Sequence, residues 1–165
     1  MTDQDGVDRI LDQWASERPD LDTEAMGIFG RIFRLARAGG DATAAAYARS
    51  DLTRGDFDVL ATLRRSGADR SLSPGALSAT LMLTSGGMTQ RLDRLERTGL
   101  VRRSPDPADR RALRVSLTDR GADVVDRAVE DGLAAEQRLL AGIPPERRAE
   151  IDAMLRELLA AVDAS

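Results

Sequence analysis

The chain contains no cysteine, no histidine and no lysine. Without cysteine there are no disulfides, no thiolate metal sites and no thiol-based redox sensing. Without histidine the commonest general base and metal ligand is gone, so a metal site would have to be built from carboxylates alone. Lysine chemistry is absent as well, and neither a G-x-S-x-G elbow nor a phosphate-cradling glycine loop occurs, so no enzyme, cofactor or metal site is expected. Aromatic residues are scarce, with three Phe, one Trp and one Tyr. The core is therefore expected to be mostly Leu, Ala, Val and Ile. No run of apolar residues is long enough to span a membrane and the N-terminal stretch does not read as a signal peptide, so a soluble, cytoplasmic protein is expected. The 165 residues suit one domain, or one domain with helical extensions.

Charge is unevenly placed. The net charge is −4, yet the window from Arg91 to Arg120 holds nine Arg against five acids. One basic island in an acidic chain suggests a local surface built for a polyanion. The overall negative charge does not oppose this, because affinity for nucleic acid depends on the phosphates neutralised locally.

Periodicity and punctuation divide the chain into elements. Val7, Ile10, Leu11 and Trp14 have helical spacing over residues 6–17, and Arg18-Pro19-Asp20 breaks that helix. Thr23 starts a second helix with an apolar stripe of Met26, Phe29, Ile32, Phe33 and Leu35, expected to end at Gly39-Gly40; a separate Ala-rich helix is expected over Ala42–Ser50. Thr53 with Asp56 three residues on reads as a capping box for a helix ending near Gly67. Ser73-Pro74 starts a short helix to about Leu81. Thr84 or Ser85 starts another, with Met88, Leu92 and Leu95 facing inward and Gly99 as its stop. A strand, a Pro/Asp/Arg-rich loop at Ser104–Ala112 and an alternating strand at Leu113–Leu117 follow. Thr118 caps a long helix to about Leu140, and Gly142 and Pro144-Pro145 separate it from a last helix carrying Ile151, Met154, Leu155, Leu158, Leu159 and Val162. The terminal helices carry more apolar residues than one small monomer can cover, which gives a reason to dimerise.

This order is that of a winged helix-turn-helix: mainly α, with a small β-hairpin wing (α+β) and a helical dimerisation region. The second helix of the pair should enter a major groove. About 100° of rotation per residue turns Gly86, Thr89, Gln90, Asp93, Arg94 and Arg97 away from the Met88/Leu92/Leu95 face. Ser85, Thr89 and Gln90 lie in the first turns, where base edges are reachable, and Gln suits adenine. Gly86-Gly87 leaves backbone N–H groups open to phosphate. Arg110 and Arg111 at the tip of the loop suit a narrow minor groove, with Asp109 able to brace one of them. The same features also fit a solvated helix face and an ordinary charged loop.

Four stretches in this order and spacing carry a resemblance: Leu52-Thr53 with Phe57-Asp58-Val59-Leu60; Leu92-Asp93-Arg94-Leu95-Glu96-Arg97-Thr98-Gly99-Leu100-Val101; Asp106-Pro107-Ala108-Asp109-Arg110-Arg111; and Leu117-Thr118-Asp119-Arg120-Gly121. The chain resembles the MarR family of bacterial transcription regulators over about Thr23–Val162. The resemblance implies a homodimer, built from N- and C-terminal helices, that binds a pseudo-palindromic operator, usually as a repressor, with Arg110 and Arg111 in the minor-groove role. The expected organisation is 1–50 for the extension and dimerisation helices, 51–120 for the DNA-binding lobe and 121–165 for the C-terminal dimerisation helices, as one domain overall.

The extra first helix is similar to that of the urate-responsive PecS/HucR branch of the family. That branch implies a ligand set of Trp14, Asp58, Arg91 and Arg103, all four residue types being present. The chemistry is consistent: urate is a planar anion near neutral pH, an indole packs on a planar ring, and arginine pairs with an anionic edge. Asp58 and Arg103 could form a charge pair whose rearrangement turns the recognition helix. Another aromatic or carboxylate effector is the alternative, as in regulation of antibiotic or phenolic resistance. A structural role for all four residues is the plain reading, with Trp14 as an anchor and Asp58–Arg91 as a salt bridge. A winged helix that binds only protein partners is the remaining alternative class.

Overall fold

The computed structural model describes residues 4–82, 84–106 and 112–164, with the side chain of Ser85 left undescribed. Its elements are α1 (Gly6–Glu17), α2 (Glu24–Ala48), α3 (Arg54–Arg64), β1 (Ser71–Leu72), α4 (Pro74–Leu81), α5 (Ser85–Arg97), β2 (Val101–Pro105), β3 (Leu113–Leu117), α6 (Asp119–Leu139) and α7 (Pro145–Asp163). Among the described residues no helix is long and apolar enough to cross a membrane. Two compact units are present, Met1–Ala42 and Thr43–Ser165.

In the first unit α1 begins at an N-cap, Asp5, whose carboxylate accepts from the backbone N–H groups of Val7 and Asp8, while Asp8 reaches back to the N–H of Asp5. Arg31 on α2 pairs with both carboxylates. Glycines on α2 let α1 approach closely: a Cβ at Gly30 would lie 3.1 Å from Val7 Cγ1, and one at Gly27 would lie 3.2 Å from Leu11 Cδ1.

The expected break at Gly39-Gly40 does not occur; α2 runs unbroken to Ala48. Each glycine costs about 1 kcal/mol in a helix, but Ala42 and Ala44–Ala46 follow at once, and alanine is the best helix former. The helix ends instead where Asp51 turns left-handed (φ 55°) and Leu52 N–H bonds back to the Tyr47 carbonyl.

In the second unit the caps fall where local chemistry requires them. Thr53 and Asp56 form a reciprocal capping box on α3. Ser73 caps α4 ahead of Pro74, Thr84 caps α5, and Thr118 caps α6. Gly99 (φ 73°) follows α5, and Leu100 N–H returns to the Leu95 carbonyl. The core joins Val59, Leu60 and Leu63 of α3, Leu77 of α4, Met88, Leu92 and Leu95 of α5, Val115 of β3 and Val125 of α6, all essentially inaccessible.

The three strands form an antiparallel sheet in the order β1-β3-β2. The pairing Arg103↔Val115 places Arg103 on the core face, and Ser104↔Arg114 places Arg114 on the opposite face. The hairpin joins α6 across Gly121, where a Cβ would lie 2.0 Å from the Leu100 carbonyl oxygen. The short strand β1 was not expected from the sequence, because two residues show no period.

Candidate nucleic-acid interface

α4 and α5 are the two helices of the turn motif, joined through Met82 in a left-handed conformation (φ 50°). The buried side chains of Met88, Leu92 and Leu95 fix the rotation of α5. Gly86, Thr89, Gln90, Asp93, Arg94 and Arg97 then lie exposed, as the helical count expects, and Ser85 opens the helix. Among the described residues a Cβ at Gly86 would meet nothing within 4 Å, so its bareness serves no packing against them.

The arginines of the basic island divide by partner. Arg103 reaches down from β2 to α5: its backbone N–H donates to Glu96 Oε1 at 3.0 Å, Nη1 to Asp93 Oδ1 at 2.6 Å, and Nη2 to the Thr89 carbonyl at 3.4 Å. Arg94 places Nη1 3.3 Å from Oδ2 of buried Asp56 and donates from Nη2 to the Asp51 carbonyl. The recognition helix is thereby tied to the sheet on one side and to the start of α3 on the other. Arg114 bonds Ser71 Oγ at 2.7 Å and pairs with Asp106 at 3.5 Å. Arg97 is exposed in the last turn of α5. Arg110 and Arg111 lie outside the described residues.

The expected ligand set is distributed as follows. Trp14 lies on α1 in the first unit, 41% exposed. Asp58, Arg91 and Arg103 lie in the second unit. The Arg91 guanidinium rests on the first turn of α3, where a Cβ at Gly55 would lie 2.3 Å from it. It borders a cleft of about 380 Å³ with Thr53, Asp56, Gly87, Gln90 and Arg94. The Asp58–Arg103 pair is not formed among the described residues. Asp58 pairs at 3.2 Å with Arg54, four residues back on the same helix, and Arg103 is held by Asp93 and Glu96. Sequence reasoning missed the partners of Arg94, Arg103 and Arg114, since each partner is set by tertiary placement; the one local signal was the Thr53/Asp56 capping box.

A winged helix with an exposed reading face is a widespread arrangement, and comparison with known proteins decides the family. Residues 50–112 match the model described as the MarR family. The chain is 38% identical over 149 residues to the HTH-type transcriptional regulator PecS of Dickeya dadantii, covering 90% of each protein. The chain belongs to the MarR family. The structure of a MarR family transcriptional regulator from Streptomyces coelicolor superposes with a TM-score of 0.70 at 28% identity, covering 87% of this chain and 98% of the other. A mutant of MarR from Escherichia coli in complex with operator DNA superposes with a TM-score of 0.69 at 25% identity, covering 83% and 96%. This MarR-family member is a DNA-binding transcriptional regulator of the PecS type, and its relatives are regulators rather than enzymes.

Proposed function

We propose that the protein is a homodimeric repressor that binds a pseudo-palindromic operator and is released by a small planar anion such as urate. Ser85, Gly86, Thr89, Gln90, Arg94 and Arg97 would meet the major groove, and Arg110 and Arg111 the minor groove. The observation that carries the DNA reading is the solvent-facing first half of α5, with Gly86, Thr89 and Gln90 exposed beside the wing hairpin. Arg94 keeps donors to spare beyond its two internal bonds, because a guanidinium carries five N–H groups. Dimerisation is supported by α7, whose described residues are all at least partly exposed although Ile151, Met154, Leu155, Leu159 and Val162 are apolar.

The effector reading rests on Trp14, Asp58, Arg91 and Arg103. Arg91 lines an open cleft at the recognition helix, and Arg103 grips that helix directly. An anion that drew either arginine away from its present position would disturb the helix that reads DNA. A cytoplasmic location follows from the same reading.

Titration of urate into the complex with operator DNA from the upstream intergenic region tests both halves. Tight, sequence-dependent binding that is lost with urate is expected, together with quenching of Trp14, the only tryptophan. Binding that ignores sequence would overturn the repressor reading. Tight operator binding unaffected by millimolar urate would overturn the effector reading and direct the search to other aromatic carboxylates.

A further inference from the structure

Oδ2 of Asp56 collects three donors. The backbone N–H of Thr53 donates to it at 3.0 Å, the Thr53 hydroxyl donates at 2.7 Å, and Arg94 Nη1 lies 3.3 Å away. Asp56 is 2% exposed, whereas 47% of the Arg94 side chain is open to solvent. A buried carboxylate is costly without its cation, so Asp56 holds the arginine that reaches it. The other arm of the Arg94 fork, Nη2, donates to the Asp51 carbonyl at 3.3 Å. Asp51 is left-handed (φ 55°), where the chain turns from α2 into α3. One guanidinium on α5 thus grips the end of α2 and the start of α3 together. Two open spaces adjoin this joint: the cleft shared with Gln90 and Arg91, and a cavity of about 140 Å³ whose lining includes Ser50, Thr98 and Arg120. Asp56 and Arg94 border both. Packing is sparse beside the pair, so the polar grip fixes this edge of the helix.

We propose that Asp56 is a positioning residue for DNA recognition. Through Arg94 it sets the placement of α5 against the α2–α3 corner, and with it the direction of Gln90, one turn earlier on the same exposed side. Asp56 itself touches no DNA; it acts from the buried end of α3. This inference rests on the proposed groove role of α5.

Charge alone and positioning predict opposite signs. Removing a carboxylate from a DNA-binding lobe should tighten binding. Releasing Arg94 from its anchor should weaken it. The test measures operator affinity by fluorescence anisotropy for Asp56→Asn, for Arg94→Met and for the double variant, with thermal unfolding to follow the fold. Asp56→Asn is expected to weaken binding about fivefold or more, and to add almost nothing once Arg94 is gone, since residues in contact are not additive. Asp56→Glu keeps a carboxylate and the capping box, and should restore much of the loss. Thr53→Ala removes the cap hydroxyl but leaves Arg94 its partner; it should lower the unfolding temperature and keep affinity near wild type. A further measurement uses the wild-type protein alone: side-chain nitrogen NMR of Arg94 should show slow rotation of its guanidinium. Unchanged or tighter binding by Asp56→Asn would overturn the proposal, as would an equal loss in the Arg94→Met background, an equal loss from Thr53→Ala, or a freely rotating Arg94 guanidinium. Gln90→Ala separates the proposal from the reading beneath it. If Gln90→Ala weakens binding and Asp56→Asn does not, the positioning role falls alone; if neither does, the groove reading of α5 falls first and the positioning role falls with it.

Discussion

Nη1 of Arg103 lies 2.6 Å from Oδ1 of Asp93, joining the wing strand to the recognition helix. The Arg103 side chain is 23% exposed and Glu96 stands 3.4 Å away, so the guanidinium is held by two carboxylates at once. Replacing it by Met removes the cation from both acids on the helix proposed to meet DNA. Arg103→Met should weaken operator binding by about tenfold or more, as loss of one partner in a close charge pair does. Arg103→Lys should fall between, because an ammonium lacks the planar fork that serves two carboxylates together. Anisotropy titrations with and without urate separate two roles. Wild-type affinity combined with a lost urate response would make Arg103 purely a ligand residue.

Two glycines should respond in opposite ways to alanine. A Cβ at Gly121 would meet the Leu100 carbonyl oxygen at 2.0 Å and Leu117 Cδ1 at 2.9 Å, and the first of these is backbone that cannot swing aside. Gly121→Ala should destabilise the fold by about 2–4 kcal/mol. No described residue lies within 4 Å of a Cβ at Gly86 on α5, so Gly86→Ala should leave stability unchanged or raise it by up to about 1 kcal/mol. If its backbone approaches phosphate, the same change should weaken operator binding. Urea unfolding and anisotropy on the two variants check both halves. A destabilised Gly86→Ala protein would show that this glycine serves the fold.

Local chemistry was the legible part of the sequence. Thr53, Ser73 and Thr118 cap helices because their hydroxyls satisfy orphan N–H groups three residues ahead, and that spacing is visible in the chain itself. The inward face of α5 was legible for the same reason. Gly39-Gly40 misled because propensity is a weak term beside the alanine-rich turn that follows. The roles of the arginines were hidden most. Arg94, Arg103 and Arg114 look alike within one basic island, and what separates them is the carboxylate each finds after folding: Asp56, Asp93 with Glu96, and Asp106.

Acid should loosen α1. The Asp5 carboxylate is held below its ordinary value of 3.8, chiefly by the Asp8 backbone N–H and further by the Val7 N–H and the Arg31 guanidinium. A carboxylate whose value is depressed by folding contributes stability that is complete above the unfolded value and is lost as pH falls through the folded one. The α1 cap and its tie to Arg31 should therefore be intact at pH 5–7 and fail only below about pH 4. Trp14 fluorescence reports on α1, and amide exchange at Val7 and Asp8 reports on the cap. Asp5→Asn should fray the start of α1 already at pH 7. An Asp5→Asn protein with unchanged amide protection would show that the cap contributes nothing to α1.

The C-terminal helix supplies the sharpest test of assembly. Leu155 is 46% exposed and Leu159 is 63% exposed, one helical turn apart, with Met154 and Val162 also open at 58% and 54%. Apolar area of this extent on one helix is unfavourable in water at about 25 cal/mol per Å², and two-fold burial against a second copy removes it. A carboxylate placed there would have to be buried at such an interface without a partner, at a penalty of several kcal/mol. Leu155→Glu with Leu159→Glu should convert a dimer to a monomer in light scattering, while helical content measured by circular dichroism changes little. Operator affinity should fall steeply, because each half-site would be bound without its neighbour. A double variant that stays dimeric and binds its operator normally would place the interface elsewhere on the chain.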